Sequence, residues 1–176
     1  MYETLLSKYG VRQLGFYVKS IEETAAFMAK HLGAGPFFDM GVNEPAELLL
    51  HGAECKSLTR CALGHVKDVQ IELIEAANDE PSVYTEAGGF GLHHICLWTD
   101  DLAKTIEEFK AEGVEVAMEM VSGQGLPVVY LDTVEELGVY VEVNPPLEQL
   151  YQGIKMQHEN WDGTRPLRSV AELMGR

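Results

Sequence analysis

Gln13-Leu-Gly-Phe-Tyr-Val18, followed by Ser20-Ile-Glu-Glu23, returns 81 residues later as His94-Ile-Cys-Leu-Trp-Thr99 followed by Asp101. Both copies read as a strand running into a capped helix. Apolar and mixed positions alternate, as along a strand. Ser20 with a glutamate three places on is a capping box, and Asp101 takes the same place in the second copy. Helical stripes follow: Ile21, Ala25, Met28 and Leu32 in one, and Leu102, Ile106 and Phe109 in the other. Gly33 and Gly113 stop the two helices. A second pair of segments, Val69-Gln-Ile-Glu-Leu-Ile74 and Val139-Tyr-Val-Glu-Val-Asn144, repeats at an offset of 70, because the stretch between is 11 residues shorter in the second half. The half-unit is a strand, a helix, then several strands ending in one with a central glutamate, which makes the chain α+β. Phe37–Val42 and Ser57–Leu63 are expected as middle strands of the first half, and Val114–Val121 and Val128–Leu131 as those of the second. Module 1 covers about residues 10–77 and module 2 about 91–145, in one domain spanning 1–147. Ala76–Gly91, rich in Gly, Asp, Asn and Pro, reads as the linker. Residues 148–176 are expected as a C-terminal helix, near Leu147–Ile154, and a tail that falls outside the repeat.

Side chains alternate faces along a strand. In the four matching strands one face is apolar: Leu14, Phe16 and Val18; Val69, Ile71 and Leu73; Ile95 and Leu97; Val139, Val141 and Val143. That face is expected to pack under the helices. The other carries Gln13 and Tyr17; Gln70 and Glu72; His94, Cys96 and Trp98; Tyr140, Glu142 and Asn144. If the halves pair into one curved sheet, Gln13, Glu72, His94 and Glu142 occupy two pairs of equivalent positions and converge inside a half-barrel. Two carboxylates, an imidazole and a carboxamide oxygen suit one divalent metal ion (Co, Zn, Mn, Ni or Mg). Buried without such a partner the carboxylates would be costly.

Composition bounds the partners. Of 176 residues 46% are apolar and 23% charged, which is ordinary for a globular chain. The formal net charge of −15 repels phosphate backbones and anionic lipid, so neither nucleic acid nor membrane is an expected partner. Three cysteines, Cys55, Cys61 and Cys96, do not make a disulfide framework. Met1-Tyr2-Glu3-Thr4 lacks the charged and apolar regions of a signal peptide, and a cytoplasmic location is expected.

The arrangement resembles the vicinal-oxygen-chelate superfamily, which contains glyoxalase I, methylmalonyl-CoA epimerase, extradiol dioxygenases and bleomycin-resistance proteins. The resemblance runs from about Gly10 to Pro145 and rests on Gly91-Leu-His-His-Ile-Cys-Leu-Trp-Thr-Asp-Asp101, Val69-Gln-Ile-Glu-Leu-Ile-Glu75, Leu32-Gly-Ala-Gly-Pro-Phe37 and Gly138-Val-Tyr-Val-Glu-Val143. It implies paired βαβββ modules around a metal, with ligand positions at Gln13, Glu72, His94 and Glu142. His93 is expected to point the other way as a structural hydrogen-bonding residue. The double histidine, the Asp-Asp-Leu after it and Gly125-Leu-Pro-Val-Val-Tyr-Leu131 are similar to the methylmalonyl-CoA epimerase branch. The resemblance implies an isomerase of epimerase or racemase type. Such an enzyme removes a proton next to a carbonyl, with Glu142 and Glu72 as candidate bases, and takes a small acyl thioester or an aromatic or polycyclic ketone. Tyr17, Cys96, Trp98, Tyr130 and Tyr140 are the expected substrate contacts, and a homodimer is expected. Two departures stand out: Gln13 replaces the epimerase branch's first histidine, and Ser57–Leu63 lacks a glutamate that some epimerases use as a second base. A glyoxalase I-like lyase and a non-catalytic small-molecule-binding module remain alternatives. Lys56, Arg60 and Lys67 are the cations considered for a phosphate, against a plain solvated strand edge.

Overall fold

A computed structural model describes residues 8–175. Module 1 opens with β1 (Val11–Tyr17), α1 (Ile21–Leu32) and β2 (Phe37–Asn43). A short hairpin of β3 (Glu47–Leu50) and β4 (Ala53–Glu54) precedes β5 (Thr59–Val66) and β6 (Val69–Ala76). A one-turn helix α2 (Val83–Glu86) lies between the modules. Module 2 is β7 (Gly91–Trp98), α3 (Leu102–Ala111), β8 (Val116–Val121), β9 (Pro127–Leu131), the short α4 (Val134–Leu137) and β10 (Tyr140–Asn144). The chain ends with α5 (Glu148–Glu159), β11 (Leu167–Ser169) and α6 (Val170–Leu173).

Both helices are capped at the expected residues, with the serine half of the expected Ser20–Glu23 box formed. Ser20 Oγ accepts from the Glu23 backbone N–H at 3.2 Å, and Gly33 closes α1 in the left-handed conformation at φ 66°. Asp101 accepts from the Lys104 N–H at 3.0 Å to start α3. Of the stripe on α1, Ile21, Ala25 and Met28 are buried, while Leu32 in the last turn is 57% exposed because the helix runs past the sheet there.

Among the described residues, eleven strands form one sheet in the order β11-β2-β5-β6-β1-β7-β10-β9-β8-β3-β4. Within each module the first and last strands run parallel, β1 with β6 and β7 with β10, while β1 and β7 join the modules antiparallel. The expected half-barrel is therefore present as a curved mixed sheet. α1 covers the apolar face of module 1, where Ile21, Ala25 and Met28 meet Leu14, Phe16, Ile71 and Leu73. α3 covers that of module 2, where Leu102, Ile106 and Phe109 meet Ile95, Leu97, Val141 and Val143.

The sequence reading did not anticipate how the edges are closed. The β3–β4 hairpin leaves module 1 and pairs antiparallel with β8, the outer strand of module 2. The tail supplies β11, which pairs parallel with β2. Both outer edges of the two-module sheet are thus covered, which removes unpaired backbone donors and acceptors. α5 is longer than expected, and its Ile154 and Leu150 pack with Phe38 and Leu63 on module 1.

Arg60 ties α1 to the sheet. Its guanidinium binds Asp39 on β2 at 2.6 and 3.2 Å and Glu22 in the first turn of α1 at 2.8 Å. This engages the residue on the helix-covered side of the sheet, with both carboxylates as its partners. Hydrogen bonds from Arg60 hold both carboxyls below their ordinary values. Folded pKa values below the unfolded ones stabilise above the unfolded range, and that gain is lost as pH falls through the folded values. Arg60→Met should lower the unfolding free energy by about 1 kcal/mol at neutral pH. In urea titrations carried from about pH 7 to about pH 3, the deficit should shrink. An undiminished deficit in acid would show that the ion pairs are not its source.

Candidate metal centre

Two rungs of the sheet carry the site. Leu63, Glu72, Gly15, His94 and Tyr140 lie side by side across β5, β6, β1, β7 and β10. On the next rung stand His65, Gln70, Gln13, Cys96, Glu142 and Tyr130. Glu72 and His94 therefore flank Gly15, and Gln13 and Glu142 flank Cys96, the arrangement that a two-fold relation between modules produces. Gly15 is a requirement of this packing. A Cβ there would lie 1.9 Å from Cε1 of His94, so the imidazole lies where a side chain would be.

The imidazole reaches diagonally into both carboxylates. His94 Nε2 lies 3.1 Å from Glu142 Oε2 and 3.4 Å from Glu72 Oε2. Ligand atoms of the three residues all fall within 4.8 Å of one another. His94 is fully buried and Glu142 nearly so, while Glu72 keeps 16% of its side chain open. Asn144 Nδ2 donates to Glu142 Oε1 at 3.0 Å.

Burial opposes charge on every member of the cluster, and the members oppose burial for one another. Burial lowers the pKa of His94, but the adjacent Glu142 and Glu72 outweigh it and lift the group to about 9. Burial also works against a charged Glu142, yet His94 and the Tyr130 hydroxyl hold its pKa below the ordinary value. For Glu72 burial wins and the pKa rises, with the Glu142 charge adding to the effect.

These residues fit a divalent cation. His94 Nε2 is buried and makes no hydrogen bond of acceptable geometry, although two carboxylate oxygens are close. The nitrogen is aimed between the oxygens, as a metal ligand is. One nitrogen and two anionic oxygens are the donor types that zinc, manganese, cobalt and nickel accept. A dication also neutralises the carboxylate pair.

Of the four expected ligands, the structure gathers Glu72, His94 and Glu142. Gln13 shares the rung of Glu142, on the far side of Cys96, with its Nε2 donating to Gln70 Oε1 at 2.9 Å. The metal-binding atom of that amide, Oε1, is its other end. Tyr130 faces Glu142 across the strands, and its ring lies edge-on to His94 at 5.1 Å. Cys96 is buried between Gln13 and Glu142, and burial pushes its thiol pKa up. Tyr140 is buried beside His93, with ring centres 5.0 Å apart. Tyr17 packs against Tyr84 and the exposed Phe90. Trp98 lies further along the sheet, between Tyr9 and Tyr151, with the Arg12 guanidinium 5.0 Å over its ring.

Three features escaped the sequence reading. Gly15 was legible as a glycine in mid-strand. His93 does not point away from His94. Between Gly15 and Phe16 the register slips, so that His94 and Leu92 are paired and His93 is the extra residue of a β-bulge. The bulge turns it to the same side as His94. Arg12, 81 residues earlier, is skipped in the same way between Val11 and Gln13. The third feature is the linker, which contains α2 with Val83 and Tyr84 buried against the site. A reciprocal Ser82–Thr85 capping box was its signal.

Gly15→Ala should displace the His94 ring, destabilise the fold by about 1–3 kcal/mol and weaken zinc binding at least about tenfold. Denaturant titration and competition with a zinc chelator check the two effects. Unchanged zinc affinity in a folded variant would remove His94 from the site.

The chain is 29% identical over 111 residues to the mitochondrial methylmalonyl-CoA epimerase of Dictyostelium discoideum, covering 60% of this chain and 63% of that protein. It is 24% identical over 157 residues to the bovine (Bos taurus) mitochondrial methylmalonyl-CoA epimerase, covering 70% of this chain and 85% of that one. The chain thus spans just under two thirds of the first relative's length. In fold it is similar to the crystal structure of methylmalonyl-CoA epimerase from Mycobacterium tuberculosis, with a TM-score of 0.58 at 17% identity over 86% of this chain and 96% of that one. The family model of the glyoxalase/bleomycin resistance protein/dioxygenase superfamily matches residues 12–130, more than half of the chain and parts of both modules, and the protein belongs to that superfamily.

Proposed function

We propose that this protein is a metal-dependent isomerase of epimerase or racemase type, acting at a carbon next to a substrate carbonyl. The observation that carries the reading is the buried meeting of Glu72, His94 and Glu142, supplied by strands of both modules. Similarity to methylmalonyl-CoA epimerases supports it. Glu72, His94 and Glu142 would hold the cation, with Gln13 as the neighbouring fourth donor. Bound there, a dication polarises a carbonyl oxygen and makes the adjacent C–H more acidic.

The two carboxylates differ in how they are held. Asn144 and His94 grip Glu142, and Tyr130 stands across from it. Glu72 has a contact to His94 and an open edge. Glu142 is therefore the fixed ligand, and Glu72 is the carboxylate free to swing and take a proton. Burial that raises the Glu72 pKa also makes it a stronger base. Return of the proton to the opposite face requires a group on the β10 side, where Glu142 and the Tyr130 hydroxyl stand. Tyr17, Ile74, Tyr84, Met118 and Tyr140 form an apolar wall around these groups, which excludes water and strengthens their electrostatics. Such a wall suits the acyl part of a small thioester or an aromatic ketone.

Zinc- or cobalt-loaded protein should exchange the proton next to the carbonyl of methylmalonyl-CoA, or of an aromatic ketone, for deuterium in D2O. Absence of exchange with either, together with less than stoichiometric metal in the purified protein, would sink the reading. Turnover of the methylglyoxal–glutathione hemithioacetal instead would make the protein a lyase. Glu72→Gln should abolish exchange, by about a hundredfold or more, while leaving metal affinity within about tenfold. Glu142→Gln should lower metal affinity by more than Glu72→Gln does. Equal losses of metal in the two variants would refute the division of roles.

A further inference from the structure

The inter-module segment carries two buried contacts that lead outward from the proposed ligands. His94 Nδ1 lies 3.0 Å from His93 Nδ1, and His93 Nε2 lies 3.2 Å from the Val83 carbonyl oxygen. A carbonyl only accepts, so His93 carries its proton on Nε2. In the neutral ring Nδ1 is then an acceptor, and His94 must donate to it from Nδ1–H. The chain of donors thereby leaves Nε2, which faces the two carboxylates, as the ring nitrogen that takes a cation. The second contact runs from the next residue. The hydroxyls of Tyr84 and Tyr130 lie 2.9 Å apart, and Tyr130 is the cross-strand partner of Glu142. Tyr84 donating to Tyr130 leaves the Tyr130 proton for the carboxylate.

Val83 and Tyr84 are consecutive residues of α2 and are buried. The helix is itself fixed on several sides. Ser82 and Thr85 cap it reciprocally. Cys55 Sγ donates to the Pro81 carbonyl at 3.0 Å, and His51 Nε2 lies 2.8 Å from Glu86 Oε2. The imidazole arm thus ends on an acceptor, and the carboxylate arm has the polarity that its ligand requires when Tyr84 is the donor. Hydrogen bonds behind metal ligands set tautomer and orientation.

We propose that α2 positions the metal centre, its Val83 carbonyl fixing the tautomer of His94 through His93 and its Tyr84 hydroxyl steadying Glu142 through Tyr130. The inference rests on the metal reading above, and His93 and Tyr84 are positioning residues within it. Zinc is the probe, titrated into wild type, His93→Leu, His93→Gln and Tyr84→Phe in competition with a chelator. His93→Leu should weaken zinc binding about 10–100-fold. His93→Gln, which keeps an acceptor and a donor on one side chain, should restore it to within about threefold of wild type. Tyr84→Phe should weaken binding independently of the histidine arm. Nitrogen-15 histidine spectra of wild type, with and without zinc, should show His93 protonated on Nε2 and bare on Nδ1, and His94 protonated on Nδ1. Zinc affinity equal to wild type in folded His93→Leu and Tyr84→Phe, or a His94 bare on Nδ1, would overturn the inference. Wild type that binds no zinc would refute the metal reading, and the metal-free spectra would still decide the hydrogen-bond chain.

Discussion

The antiparallel pairing of β1 with β7 is the constraint on which the site depends. This ladder joins the modules at the middle of the sheet, and its register puts Gly15 opposite His94 and Gln13 opposite Cys96. A slip of one residue would exchange the faces of a strand and send the ligands into the helix-covered layer. The register also holds an extra residue at Arg12 and another at His93, one before each expected ligand of the central strands. The module relation is therefore visible in the irregularities of the sheet as well as in its regular part. Each bulge turns a second polar side chain toward the concave face, and the two have diverged. His93 lies against His94, while Arg12 lies over Trp98 near Tyr9 and Tyr151.

Charge then decides what the concave face can do. Two carboxylates meet where water is largely excluded, and neither alone has enough hydrogen-bond donors to offset the desolvation. His94 lies between them and takes up positive character in response. A proton or a dication satisfies the same electrostatic demand, which makes metal loading and protonation of this imidazole competing events. The other acidic residues lie outside this cluster, in a chain whose formal net charge is −15.

Much of this was legible in the sequence, for a reason that can be stated residue by residue. The repeat is carried by strict periodicity, so the four ligand-bearing strands, the two helices under them and the shared face of Glu72, His94 and Glu142 follow from spacing. Pairing partners are not encoded in spacing. Nothing in Glu47–Leu50 marks it as a strand of the other module's edge, and nothing in Leu167–Ser169 marks it as a partner for β2. The position of Gln13 was legible, whereas the orientation of its amide toward Gln70 depends on a neighbouring strand. Alternation misplaced His93 because a bulge breaks the period of two on which alternation rests. Tyr84 was hidden in a stretch whose composition reads as linker although its Ser82–Thr85 cap makes a turn of helix.

The β3–β4 hairpin gives the duplicated architecture a lasting asymmetry. Module 1 lends the hairpin to the edge of module 2, while the edge of module 1 is covered by a strand of the tail and not by module 2 itself. Either half expressed by itself would leave a strand edge bare: module 2 would expose β8, and module 1 would carry a hairpin with no sheet to join. Edges of that sort recruit other chains. The two halves of this gene product have thus become obligate neighbours. Their separation would trade one continuous sheet for two fragments prone to aggregate.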